Sequence, residues 1–480
     1  MLHLHRAARI LALAAFLAGC APLDQGGARM PAQAPAAWPD DASANAGPAA
    51  ASVGWQDYYV APGLRALIQQ ALLHNTDLRT ALLRVDEARA AFGITSAQQF
   101  PTIGLGAGGT VSRVPADLSV TGQPLVSRDY QVALQMNAWE LDLWGRVRSL
   151  KASALESWLA SDAARRAVSL ALITQVADGY LQLRELDERL ALARSTIASR
   201  AASYRIFQRR YEVGAIAQLD VLQVGTLLTQ AEALAAQLEQ ARALQAHALV
   251  QLTGASANQL AAAAPYDDSL VLAPLGAGLP SALLATRPDI AAAEHQLRAA
   301  RADVDAARAA FYPRISLTAG AGTASAALEG LFKSGSRAWT FAPAVALPLL
   351  DGGRNRASLA LADVRRELAV VSYDRAVQTA FREVSDALAS GRWLARQVDA
   401  VQANVAAQRR RAYLATLRYE NGATAYFEVL DAQRDLLAAE QQLVQTRRLL
   451  LSSQVALYAA LGGGSFATPL TTSNASPQTP

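Results

Sequence analysis

Asn75-Thr76-Asp77-Leu78, followed by Ala88-Arg89-Ala90-Ala91-Phe92 and Pro101, is written a second time as Arg287-Pro288-Asp289-Ile290, Ala307-Arg308-Ala309-Ala310-Phe311 and Pro313. Asp77 to Pro101 and Asp289 to Pro313 are equally long, and the two copies are offset by 212. Farther on, Tyr211-Glu212-Val213-Gly214 returns as Tyr419-Glu420-Asn421-Gly422, and Asp220-Val221-Leu222 as Glu428-Val429-Leu430, at an offset of 208. Such a period is far longer than a solenoid repeat, so the chain is a duplicated half rather than an array. The difference between the two offsets falls between Pro101 and Gly145, matched by Pro313 to Gly353, where hairpin loops are expected.

Each half contains a long proline-free stretch, residues 125–264 and 349–468, rich in the helix formers Ala, Leu, Arg, Glu and Gln. Val168, Leu172, Val176, Tyr180, Leu183, Leu186, Leu190, Ala193 and Ile197 recur every three or four residues, and Val370, Tyr373, Val377, Phe381 and Val384 begin a similar series, so both stretches predict helices packed along their length. The first, from Arg146 to Val213, is on the order of 100 Å if unbroken. Its turn is expected at Gly214, with a twin at Gly422. The segment from Leu64 to Gln99 and the returning helix from Ala217 to Thr253 would together match its length.

Between the helices the period changes to two. Val132, Leu134, Met136 and Ala138 alternate with Gln131, Ala133, Gln135 and Asn137, and Trp339, Phe341, Pro343 and Val345 alternate with small side chains. Ile103, Leu105 and Ala107 alternate with glycines, and Ile315, Leu317 and Ala319 with Ser316, Thr318 and Gly320. These are four candidate strands in two hairpins, either half-buried in a soluble domain or apolar-out in an outer-membrane barrel. Pro343 marks an edge or a bulge. Four strands cannot close a barrel in lipid, where an open edge is forbidden. Two copies would give eight strands and a filled interior, three copies twelve and a lumen.

The composition excludes several classes. With 44 basic and 40 acidic side chains and 52% hydrophobic residues, the 480-residue chain is neither disordered nor a nucleic-acid binder. Its single Cys, Cys20, allows no internal disulfide and no Cys-rich zinc site. Arg6 and Arg9, an apolar run from Ile10 to Leu17, and small Ala18 and Gly19 have the order of a secretory signal. Leu17-Ala18-Gly19-Cys20 is similar to a bacterial lipobox, in which the cysteine is lipidated and becomes the new N-terminus. Ala21 then implies sorting to the outer membrane. Loss of Arg6 and Arg9 with the signal lowers the net charge from +4 to +2.

The expected organisation is a signal at 1–19, a lipidated N-terminus with an extended tether at 20–54, and a first repeat at 55–261 with a β-hairpin at about 101–141. A linker follows at 262–283, then a second repeat at 284–463 with a hairpin at about 313–348 and a flexible tail at 464–480. The fold class is mixed α and β.

From Trp55 to Gly463 the chain resembles the TolC-like outer-membrane efflux proteins, in particular their lipoprotein branch. The resemblance rests on residues 67–79 (Leu67-Ile68-Gln69-Gln70 to Leu78-Arg79), Arg287-Pro288-Asp289-Ile290-Ala291-Ala292-Ala293-Glu294, Trp139-Glu140-Leu141-Asp142-Leu143-Trp144-Gly145-Arg146 and the two glycine tips. It implies a homotrimer whose β-barrel, four strands per copy, sits in outer-membrane lipid. A coiled-coil helical barrel then extends into the periplasm. It also implies docking of a periplasmic adaptor, fed by an inner-membrane resistance-nodulation-division transporter, at tips that include Val213, Gly214, Leu219, Asp220, Asn421, Gly422 and Glu428. The implied function is a passive duct exporting drugs or other small toxic molecules. A duct for type I protein secretion and a non-conducting structural lipoprotein are the alternatives.

Gly104-Leu105-Gly106-Ala107-Gly108-Gly109 fits G-x-G-x-x-G, but Val111, Ser112, Val114 and Pro115 follow it rather than a helix, so no dinucleotide site is expected. The five histidines lack metal-ligand spacing, and no nucleophile, base and orienter set is present, so neither an enzyme nor a cofactor is expected. In related channels the positions of Phe427, Asp431 and Arg434 form a periplasmic constriction, where three copies of an apolar ring and a charged ring would make a barrier to ions. Read from spacing alone, Phe427 is core, and Asp431 and Arg434 are a surface i,i+3 pair; the resemblance is what turns them into a gate.

Overall fold

The computed structural model describes Trp38 and residues 47–120, 122–255, 271, 275–278 and 280–464. Cys20, the signal at 1–19 and all of the tail beyond Gly464 lie outside the described residues. In chain order the main elements are α1 (Pro62–His74), α2 (Thr76–Ala97), β1 (Ile103–Val114), β2 (Leu125–Glu140), α3 (Arg146–Glu212) and α4 (Gln218–Thr253). The second half repeats the order with α5 (Pro288–Ala309), β3 (Arg314–Ser325), β4 (Arg337–Ala346), α6 (Arg354–Glu420) and α7 (Tyr426–Ala460). α3 and α6 each have 67 residues. The chain separates into two compact units. One holds residues 86–160 and 293–373; the other holds 34–85, 161–292 and 374–480.

The first unit is built on a four-stranded antiparallel sheet of order β1-β2-β3-β4. Among the described residues, β1 and β4 each have a neighbour on one side only. The register sorts side chains onto two faces. One carries Ile103, Leu105 and Val111 of β1, Val132, Leu134 and Met136 of β2, Ile315 and Leu317 of β3, and Trp339, Phe341 and Val345 of β4. The other carries glycines and alanines, with Ser112, Thr110, Gln131, Gln135, Asn137, Thr318 and Thr340 among them. Leu105, Leu134, Trp339 and Val345 are all exposed, so among the described residues no other element packs over this part of the apolar face. The G-x-G-x-x-G glycines lie inside β1 and lead into a second strand rather than a helix.

Two sequence expectations change here. The register of β2 on β3 shifts between Met136 and Trp139, where Ala138 sits at a φ of +45°, a conformation rarely tolerated by a residue with a Cβ. The alternation seen in the sequence therefore stops at this bulge. Secondly, the length difference between the halves is not in the loops. Pro101 to Leu125 and Pro313 to Arg337 are equally long, whereas Leu125 to Gly145 exceeds Arg337 to Gly353 by the whole of the difference. The extra length belongs to β2, which has 16 residues to the 10 of β4 and carries the bulge, and to its exit.

The strand-to-helix exits repeat one device. Asp142 accepts the Val147 and Arg148 N–H groups at 3.0 and 2.8 Å, and Asp351 accepts those of Gly353 and Asn355 at 2.9 Å each. Both carboxylates satisfy N–H groups at the entry of the helix that have no partner inside it. The bonds from Asn355 and Gly353 hold Asp351 below the usual carboxylate range. Trp144 stacks on Tyr312 at 5.1 Å and donates to the Pro313 carbonyl at 2.7 Å, tying the exit of one half to the strand start of the other.

The second unit is helical. Leu64 to Gln99, read from sequence as one segment, is interrupted at Asn75, whose side chain accepts the N–H groups of Asp77 and Leu78. Tyr58, Tyr59 and Tyr458 form its aromatic centre, with Tyr58 and Tyr458 stacked 4.2 Å apart. Their hydroxyls donate to the carbonyls of Gln454 and Val53, and burial pushes both phenols up. The tether expected at 20–54 is docked in its described part. Trp38 is buried beside Phe381 and donates to Gly278, while Ala49 bridges Gly276. A buried indole and fixed backbone bonds outweigh the freedom that the Pro- and Ala-rich composition suggests.

Candidate functional site

The two helical hairpins of the second unit end in the same turn. Ala215 N–H donates to the Arg210 carbonyl and Gly214 N–H to that of Tyr211; in the second hairpin, Ala423 donates to Arg418 and Gly422 to Tyr419. This pair of bonds is the Schellman motif, which needs a left-handed residue, and Gly214 and Gly422 supply φ values of +73° and +71°. An added Cβ would meet nothing within 4 Å at either glycine, so backbone conformation alone requires them.

Behind the tips the hairpins are bolted together by an apolar cluster. Phe207 of α3, Val224 of α4 and Leu430 of α7 are buried against one another, with Tyr204, Tyr419 and Tyr426 around them. Tyr426 lies 4.4 Å from the Phe207 ring and donates to Ser203 Oγ at 3.0 Å, and burial raises its hydroxyl pKa. Arg210 donates to the Tyr419 hydroxyl at 2.8 Å, a second cross-link between the hairpins.

α7 has two distinct faces at this level. Val429, Leu430 and Ala432 are buried, while Phe427, Asp431 and Arg434, four and three residues apart, share the more open face, with Phe427 60% exposed. A phenyl group so exposed is not core of its own chain. Asp431 accepts from Arg434 at 2.5 Å and from Arg411 of α6 at 2.6 Å, and Arg411 also donates to Asp435 at 2.7 Å. The two arginines and two carboxylates form a closed, neutral network. Bonds from Arg411 and then Arg434 hold Asp435 below its ordinary value, and the bond to Asp435 leads the upward shift of Arg411.

The expected docking residues divide. Val213 and Leu219 are exposed apolar side chains beside the turns. Asp220 accepts the Ala217 N–H at 3.2 Å and so caps α4, Glu428 pairs with Arg418 at 3.4 Å, and Asn421 Nδ2 donates to the Leu417 carbonyl at 2.7 Å. Tyr426 and the Phe207–Leu430 contact lie outside the sequence expectations, whereas a cation beside Asp431, from Arg434 or from some arginine of the adjoining helix, is within them. Asp431 and Arg411 come from different helices, a pairing with no local signature.

A model of the outer membrane efflux protein family matches residues 67–255 and 279–463. The outer membrane protein OprJ of Pseudomonas aeruginosa is 42% identical over 433 residues, 89% of either chain. The toluene efflux pump outer membrane protein TtgI of Pseudomonas putida is 42% identical over 412 residues, 85% of this chain and 87% of its own. The open-state outer membrane channel MtrE of Neisseria gonorrhoeae superposes with a TM-score of 0.80 at 35% identity, covering 90% of this chain and 96% of that one.

Proposed function

The chain belongs to the outer membrane efflux protein family, and from that premise we propose that three copies close a twelve-stranded barrel and act as the passive outer duct of a tripartite pump. One observation carries this reading: among the described residues, an open sheet with two single-sided edges, an apolar face that no other element packs over, and an opposite face of mostly small and polar side chains. In hydrocarbon the edges would each leave a row of unpaired backbone groups at several kcal/mol apiece. β4 of one copy against β1 of the next satisfies them and keeps the ladder antiparallel. Among the described residues no helix is long and apolar enough to cross a membrane, so the sheet is the spanning element of this reading.

The exported class is small toxic or drug-like molecules, in keeping with the toluene pump relative. The partners are a periplasmic adaptor, met at the exposed Val213 and Leu219 beside the tips, and a resistance-nodulation-division transporter. Cys20 carries the lipid anchor. Phe427, Asp431 and Arg434, with Arg411 behind them, form the closed constriction, where three phenyl groups need symmetry mates to leave water. Purified full-length protein should weigh as a trimer by light scattering and conduct ions in planar bilayers. A stable monomer that keeps its β content would overturn the proposal.

A further inference from the structure

The apolar face of the sheet is not apolar to its end. β1 finishes on this face with Val111 and Arg113, β2 enters on it with Val126 and then Arg128 before Tyr130, and β4 begins with Arg337 before Trp339. All three arginines are exposed, and none has an ion-pair partner among the described residues. All three lie toward the hairpin loops, the end remote from the helices that enter and leave the sheet. The paired positions on this face carry no carboxylate, because Asp129 belongs to the opposite one. Asp117 and Glu329 lie outside the strands, in the loops.

The spacing gives the belt its place. From Ile103 to Val111, at about 3.4 Å per residue and a tilt of about 40°, the face rises about 21 Å, close to the apolar band of about 25 Å in such barrels. Tyr130 and Trp339 then sit where interfacial aromatics sit, and the arginines one step beyond, among headgroups. Val111 pairs with Arg128 and Arg113 with Val126, so Arg113 and Arg128 are diagonal neighbours about 7–8 Å apart, within reach of one anionic group. Arginine's planar fork binds phosphate oxygens in pairs.

We propose that Arg113, Arg128 and Arg337 form a binding belt for phosphate-bearing lipid headgroups at the loop end of the apolar face. The inference rests on the barrel reading above, because only a lipid-facing sheet brings this face to headgroups. Arg113 lies on one edge strand and Arg337 on the other, so ring closure sets the arginines of adjacent copies along each seam, and one phosphorylated headgroup would bridge two copies.

The test uses the full-length trimer in detergent, titrated with diphosphoryl lipid A and followed by native mass spectrometry. A cation near such a surface is worth about five-fold in affinity, so Arg113→Gln, Arg128→Gln and Arg337→Gln together should weaken binding on the order of a hundred-fold. The three lysine substitutions should recover most of the loss. Wild-type protein should bind a phosphate-free analogue on the order of a hundred-fold more weakly than diphosphoryl lipid A, an arm that holds even if the glutamine variant fails to assemble. Equal binding of the two lipids, or saturation by millimolar inorganic phosphate alone, would overturn the belt. Protein that never conducts in bilayers would overturn the barrel reading and the belt together, whereas a conducting trimer without phosphate preference sinks only the belt.

Discussion

Leu430→Ala tests whether the tip is held by packing between hairpins. Leu430 is 4% exposed and meets Phe207 and Val224, which come from α3 and α4. Truncating a buried leucine to alanine costs about 2–5 kcal/mol, the spread reflecting how far neighbours collapse into the space. The helix backbones stay intact and the Tyr58–Tyr458 core belongs to other turns, so the loss should fall on opening of the tip rather than on global unfolding. At about 1.4 kcal/mol per factor of ten, even the smaller figure raises the opened population roughly thirty-fold. Hydrogen exchange should accelerate in peptides covering 203–227 and 415–435, while protection around Tyr458 holds. Single-channel conductance should rise in the same variant. Unchanged exchange at the tips, with the protein trimeric, would refute the idea that this cluster bolts the hairpins together.

Further expectations concern neighbouring features. Phe427→Ala should raise conductance and admit large antibiotics without lowering thermal stability, since the ring is not core; a stability loss with unchanged conductance would return it to packing. Asp435 is depressed by Arg411 and Arg434, so its contribution is complete above the ordinary value of 3.8 and lost as pH falls below it. Conductance should therefore rise in acid, and Asp435→Asn should flatten that response; an identical pH profile in the variant would discount the network. Tyr458→Ala should cost about 3–5 kcal/mol and expose residues 47–59 to proteolysis, whereas Tyr458→Phe should cost about 1 kcal/mol through its lost bond to Val53. Cys20→Ser should abolish metabolic palmitate labelling, and wild-type protein that takes up no label would refute lipidation.

What could be read from the sequence was what repeats locally. Alternation of Leu105, Val132 and Phe341 with small residues marks strands because side chains on a strand point to opposite faces in turn. The recurrent Tyr-Glu-x-Gly marks both tips because a Schellman turn needs its glycine at a fixed place. Long-range pairings left no such trace. Arg411 reaches Asp431 only because α6 and α7 run side by side, and Trp38 finds Gly278 across 240 residues. The bulge at Ala138 was hidden for another reason: alanine is unexceptional in a strand, and nothing in its neighbours signals a left-handed residue.

The uninterrupted order β1-β2-β3-β4 has a genetic consequence. In the proposed ring each chain offers two unlike edges and every copy spans the membrane in the same sense, so copies would join head to tail, because like edges would then pair parallel. A chain with one spoiled edge still offers the other, and it enters a ring that it cannot complete. In a cell making equal amounts of sound and spoiled chains, random mixing in threes leaves only about one ring in eight wholly sound. A lesion in β1 or β4 would therefore be dominant, whereas one that prevents the chain from reaching the membrane would be recessive.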